Sequence, residues 1–137
     1  MHWAILDSDV YIGHWQEGRY ERLLHDIRNA FIVRHSAVVL SELRRGARTP
    51  EAQRLVNQLR RLAREPWAPN SEEWWEAGRL VREIGDSQRW ETAKRREFQN
   101  DALIALTARR HGAVVVTANA RDFGLLSKRL RIPVIHP

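Results

Sequence analysis

Trp3-Ala4-Ile5-Leu6-Asp7-Ser8-Asp9-Val10 decides the fold. Four apolar residues in a row read as a buried strand, and the run ends abruptly on a carboxylate. Ser8 and Asp9 are good helix N-caps, so a helix through Val10, Ile12 and Trp15 follows directly. A buried strand turning at once into a helix is half of a β-α-β unit. Such units build parallel sheets covered on both faces.

The rest of the chain repeats that alternation. Gly18 breaks the first helix, and Tyr20, Leu23, Leu24 and Ile27 recur at helical spacing. Phe31-Ile32-Val33 reads as a second strand. Ser36 caps a helix through Val39, Leu40 and Leu43 that closes near Gly46. Pro50 suits the first turn of a helix carrying Leu55, Val56, Leu59 and Leu62. Pro66 and Pro69 mark a loop, and Asn70 or Ser71 caps a helix from Glu72 to Ile84, with Gly85 as its stop. Trp90 to Phe98 is expected to be partly helical. Asp101 opens the last long helix, which runs through Leu103, Leu106 and His111 to Gly112. Ala113 to Val116 is a β-branched strand, Thr117 to Asn119 a turn or cap, and Phe123 to Leu126 a short helix. Ile132 to Ile135 makes a terminal strand, placed at a sheet edge by Pro133.

Length and composition fit one domain over residues 1–137, with 43% hydrophobic residues and no repeat or low-complexity segment. The absence of cysteine excludes a disulfide framework and thiolate metal sites. No apolar run reaches membrane-spanning length, and the N-terminus does not read as a signal peptide. A soluble cytoplasmic protein is expected. The net charge is +6, and every basic residue except Lys94 and Lys128 is arginine. Arginine suits bidentate contacts to phosphate or carboxylate, so the excess suggests an anionic partner, with a plain solvated surface as the equal alternative.

Four acids stand out by context: Asp7 after the first strand, Glu42 beside an apolar helix face, Asp101 before Ala102-Leu103-Ile104, and Asp122 after the last long strand. Each has an ordinary alternative. Asp7, Asp101 and Asp122 can cap helices, and Glu42 can pair with Arg44 or Arg45. Jointly they suggest a pocket beyond the carboxyl ends of the strands, where α/β sheets place their sites. Oxygen-only ligands select Mg²⁺ or Mn²⁺ over zinc. Carboxylates around such ions suit phosphodiester hydrolysis. None of the six histidines forms a metal-like pair, and His111 reads as a helix C-terminal residue. Trp67, Trp74 and Trp75 read as core or interface ahead of base-stacking platforms.

These segments also resemble a known pattern. Ile5-Leu6-Asp7-Ser8-Asp9-Val10-Tyr11-Ile12 looks like the opening motif of PIN-domain nucleases. Val39-Leu40-Ser41-Glu42-Leu43-Arg44-Arg45-Gly46 resembles the second motif and Asn100-Asp101-Ala102-Leu103-Ile104-Ala105 the third. Val114 to Phe123 resembles the fourth. The short chain is most similar to the toxin members of type II toxin–antitoxin pairs. The resemblance implies a three-layer α/β/α sandwich with a central, mainly parallel sheet. It also implies Mg²⁺-dependent endoribonuclease activity, with Mn²⁺ able to substitute, a homodimer, and a small antitoxin partner.

By position, the resemblance makes Asp7, Glu42 and Asp101 acidic metal ligands, with Ser8 as a neighbouring hydroxyl. Asp9 stands where the family usually has Asn. At the fourth motif, members differ over whether the acid occupies the place of Asn119 or of Asp122. Asp122 is favoured here, with Thr117 and Asn119 as polar support. Arg44, Arg45 and Arg48 begin a basic region that suits RNA phosphate or an acidic antitoxin segment. Two other functions compete. Asp7-Ser8-Asp9 mimics the aspartyl nucleophile of haloacid-dehalogenase-type phosphatases, although neither Lys94 nor Lys128 has the context that chemistry wants. A non-catalytic RNA- or protein-binding module with a degraded site is the second.

Overall fold

The computed structural model describes residues 2–137. Its elements run β1 (His2–Leu6), α1 (Ser8–Glu17), α2 (Glu21–Ala30), β2 (Phe31–Arg34), α3 (Ala37–Gly46), α4 (Pro50–Leu62), α5 (Ser71–Gln88), α6 (Thr92–His111), β3 (Val114–Val116), α7 (Ala120–Leu130) and β4 (Val134–Ile135). The four strands form one sheet in the order β2-β1-β3-β4, and every pairing is parallel. The expected three-layer sandwich is what the side chains build. Ile5 and Val115 point into a core shared with α3, α5, α6 and α7. The alternate residues Ala4, Leu6, Val114 and Val116 pack on the other face against Val10, Leu24 and Ile27.

Local chemistry explains most boundaries. Gly18 and Gly112 take left-handed conformations and close α1 and α6. Ser36 and Thr49 cap α3 and α4 through their hydroxyls. Asn70, rather than Ser71, caps α5: its Oδ1 accepts from Glu73 N, while Asn70 N donates to Glu73 Oε1, a reciprocal box. Pro133 precedes the edge strand β4, and its carbonyl accepts from Val115 N.

Several expectations fail for identifiable reasons. Gly85 does not stop α5. It is buried mid-helix, and a Cβ there would meet Arg95 Cζ at 2.9 Å. The Arg95 guanidinium crosses it, donating to Trp90 O and to Asp86 Oδ1. The helix ends three residues later, with Arg89 left-handed at φ 57°. Asp101 does not open the last long helix either. That helix begins at Thr92, so most of Trp90 to Phe98 is helical and Asp101 lies in mid-helix. The terminal strand shrinks to Val134–Ile135, α7 extends over eleven residues, and Leu62 is solvent-exposed instead of packed.

Candidate metal and nuclease site

The β1–β3 pairing carries the site. Because Leu6 aligns with Val116, the residues just beyond the two strands, Asp7 and Thr117, become neighbours. Asp7 N donates to Val116 O at 2.9 Å, and Thr117 N donates to Ile135 O on β4. Thr117 Oγ1 donates to Asp7 Oδ2 at 2.8 Å and also lies 3.3 Å from Asp9 Oδ2. It accepts from Asn119 N. Ala118 N donates to Asp9 Oδ1, so the residues after β3 hold both acids of the first motif. Asp7 does cap α1, accepting from Ser8 N at 2.8 Å. The capping and pocket readings are therefore compatible.

Glu42 comes from α3 and Asp101 from the middle of α6. A mid-helix position removes helix capping as the reason for Asp101. Burial raises its carboxyl to about 8, reinforced by the charges of Asp7, Glu42 and Asp122 and opposed by Lys94. Burial likewise raises Asp7 to about 7, helped by Asp9 and Glu42 and resisted by Thr117 and Ser8. Asp9 and Glu42 are also pushed up, each chiefly by burial. The structure thus brings Asp7, Asp9, Glu42 and Asp101 within electrostatic reach of one another, with Asp122 at the edge.

Glu42 does not form the alternative ion pair with Arg44 or Arg45 among the described residues. Its Oε2 accepts from Asn100 Nδ2 at 3.4 Å, and its Oε1 is buried with no hydrogen-bond partner. A buried unpaired carboxylate oxygen among like charges is costly. A bound cation removes both costs, and an all-oxygen donor set fits Mg²⁺ or Mn²⁺. Among the described residues no three His, Asp or Glu side chains form a closed ligand set.

Asp122 is buried in the first turn of α7. Its Oδ2 accepts from Asn119 Nδ2 at 3.0 Å and from Lys94 Nζ. Asn119 is the N-cap of α7, receiving Asp122 N on Oδ1. Lys94 and Asn100 were named in the sequence but not marked as site residues. Their signal lay in the true start of α6: once that helix begins at Thr92, Lys94 and Asp101 are seven residues, two turns, apart on one face. Arg44, Arg45 and Arg48 are exposed, and only Arg45 acts electrostatically on Glu42. Trp67 is core, whereas Trp74 and Trp75 are 51% and 82% exposed. No helix among the described residues is long and apolar enough to cross a membrane.

Comparison with known proteins bears on the fold and the family. No curated protein sequence matches the chain. Among solved structures, VapBC2 from Rickettsia felis, bound to a DNA fragment from its promoter, superposes with a TM-score of 0.70 at 19% identity, covering 98% of both chains. DNA-bound VapBC from Salmonella typhimurium gives 0.67 at 20% identity, covering 99% of this chain and 98% of that one. VapBC-1 from nontypeable Haemophilus influenzae gives 0.70 at 18% identity, with 98% and 97% covered. At such identities these structures establish the shared fold. The sequence profile of the PIN domain matches residues 4–128, which hold all four acidic motifs, and the chain belongs to the PIN-domain family.

Proposed function

We propose that this protein is a divalent-metal-dependent endoribonuclease acting in the cytoplasm as the toxin of a toxin–antitoxin pair. The observation that carries the proposal is the convergence of Asp7, Glu42 and Asp101, from three separate elements, at the carboxyl ends of the parallel strands. Burial and mutual repulsion raise their proton affinity, and one oxygen of Glu42 is left without a partner. The resemblance to VapBC complexes supports a small antitoxin partner and a homodimer.

Asp7, Glu42 and Asp101 would hold Mg²⁺ or Mn²⁺, with Asp122 bordering them. When bound, the cation supplies a more acidic water and offsets charge on the phosphodiester. Thr117 fixes the rotamer of Asp7, and the residues after β3 fix Asp9. Asn100 orients Glu42 through Oε2, leaving Oε1 for the cation. Asn119 and Lys94 restrain Asp122, and Lys94 offsets part of the negative charge around Asp101. The arginine excess, including Arg44, Arg45 and Arg48, supplies attraction for RNA phosphate.

The purified chain should cleave single-stranded RNA with Mg²⁺ or Mn²⁺, stop in EDTA and resume when metal is restored. Asp7→Asn should be inactive with an unchanged circular-dichroism spectrum. Undiminished cleavage in excess EDTA would overturn the assignment, as would trapping of a phospho-aspartate at Asp7. Co-purification with a small partner whose binding stops cleavage tests the toxin role, and sequencing the RNA ends made on brief expression names the target.

A further inference from the structure

A second cavity, of about 450 Å³, adjoins the acidic cluster on its α7 side, lined by Arg89, Trp90, Glu91, Lys94, Arg121 and Asp122. Asp122 is common to both places: it lines this cavity, and its charge is felt by Asp101. The cavity thus borders the carboxylates through Asp122. Its chemistry is opposite in sign to the cluster. Lys94 is committed to Asp122. Arg89 and Arg121 belong to no ion pair among the described residues.

The aromatic wall is not arranged to stack a base. One face of Trp90 lies under Lys94 Nζ, 5.1 Å from the ring centroid, and Phe98 packs at 4.8 Å. What remains open is guanidinium, which suits a phosphate. Arg89 is exposed at the left-handed C-cap of α5, φ 57°, a conformation that Tyr20 and Arg131 share.

We propose that this cavity is the subsite for a backbone phosphate next to the one cleaved, held by Arg89 and Arg121, with Lys94 fixed at its wall by Asp122. The inference rests on the ribonuclease reading and adds to it the direction in which the RNA strand leaves the carboxylates. Glu91, exposed at the cavity mouth and N-cap of α6, opposes binding.

The test measures affinity for a fluorescein-labelled, mixed-sequence single-stranded RNA, across a salt series, in an Asp7→Asn background that cannot cleave. Arg89→Gly and Arg121→Ala should each weaken binding about tenfold and lower the salt slope by about 0.7, the value of one phosphate contact on a single strand. Glu91→Gln should tighten binding. Arg22→Ala, on the exposed face of α2, is the control for bulk charge. Arg89→Gly should also raise Tm, because glycine relieves the left-handed cap, so lost affinity cannot be blamed on lost fold. Parent-like binding by both arginine variants overturns the subsite, and so does an equal loss in Arg22→Ala. A change of oligomeric state in the arginine variants would mark the cavity as a protein interface and also overturn it. If the chain with Asp7 intact cleaves RNA while the arginine variants bind normally, only this inference falls. If the parent neither binds nor cleaves RNA, the proposed function falls with it.

Discussion

Among the described residues two buried side-chain polar atoms lack a hydrogen-bond partner, Glu42 Oε1 and His111 Nε2, and their surroundings could hardly differ more. Glu42 sits among Asp7, Asp9 and Asp101, all with raised proton affinity, at the carboxyl ends of the strands. His111 ends α6 in an aromatic cage. Its ring stacks on Trp67 at 3.8 Å and 7°, Trp3 meets Trp67 edge-on at 5.2 Å, and the Arg34 guanidinium lies 4.7 Å from the Trp67 centroid. Burial, Arg110 and Arg34 lower the proton affinity of His111, against the opposing charge of Glu73. An orphaned polar atom therefore signals a ligand only where its neighbours share an unmet demand. The carboxylates demand a cation, whereas the cage is satisfied by stacking and cation–π contact.

The largest expected effect breaks the acidic side. Asp101→Asn should lower metal-dependent RNA cleavage by at least about 100-fold. The same substitution should raise the Tm of the metal-free protein most above about pH 8, where Asp101 would otherwise carry a buried like charge. Loss of cleavage accompanied by loss of fold would mean that Asp101 is structural, and the contrast with the cage would collapse. Trp67→Ala should do the reverse. It should cost about 3 kcal/mol in denaturant unfolding and leave the cleavage rate of the folded fraction unchanged.

A smaller effect separates the two regions by pH. In the unfolded chain Asp7 and Asp101 titrate near 3.8, but in the metal-free fold they keep their protons up to about 7 and 8. The folded state binds more protons across that window, so metal-free stability falls as pH rises through it. A bound cation replaces those protons and quenches the repulsion. Millimolar MgCl₂ should thus raise Tm more at about pH 8.5 than at about pH 6, by roughly 4 °C. An Mg²⁺ shift that shrinks with rising pH would contradict the placement of the ion among these carboxylates.

The sequence exposed the two regions unequally. Asp7 was legible because an apolar run ends on it, Glu42 because it lies beside an apolar helix face, and Asp101 because it directly precedes an apolar run. The parallel sheet followed from strand–helix alternation. What stayed hidden depended on tertiary packing. Gly85 looked like a stop because nothing in its neighbours announces that Arg95, ten residues on, needs the space above it. That misplaced boundary concealed the first turns of α6, and with them the alignment of Lys94 with Asp101. The cage was less visible still. Trp3, Trp67 and His111 are far apart in sequence, and only the pairing of Trp67 beside Ser36 brings the loop tryptophan onto the end of α6.

His111→Phe carries the smallest effect and the sharpest sign. Phenylalanine can keep the stack on Trp67 and has no Nε2 to bury, so it should stabilise the fold by about 1 kcal/mol near neutral pH. The gain should grow as the solution is acidified. His111 has its proton affinity lowered on folding, so its neutral form contributes stability above the unfolded value of 6.5 that is lost as pH falls below it. That slope is opposite to the one set by Asp7 and Asp101. A Phe variant that is destabilised at every pH, or that changes RNA cleavage, would show that Nε2 has a partner or a task. A variant that is more stable, most so in acid, and equally active would leave Glu42 Oε1 as the only orphan with a function.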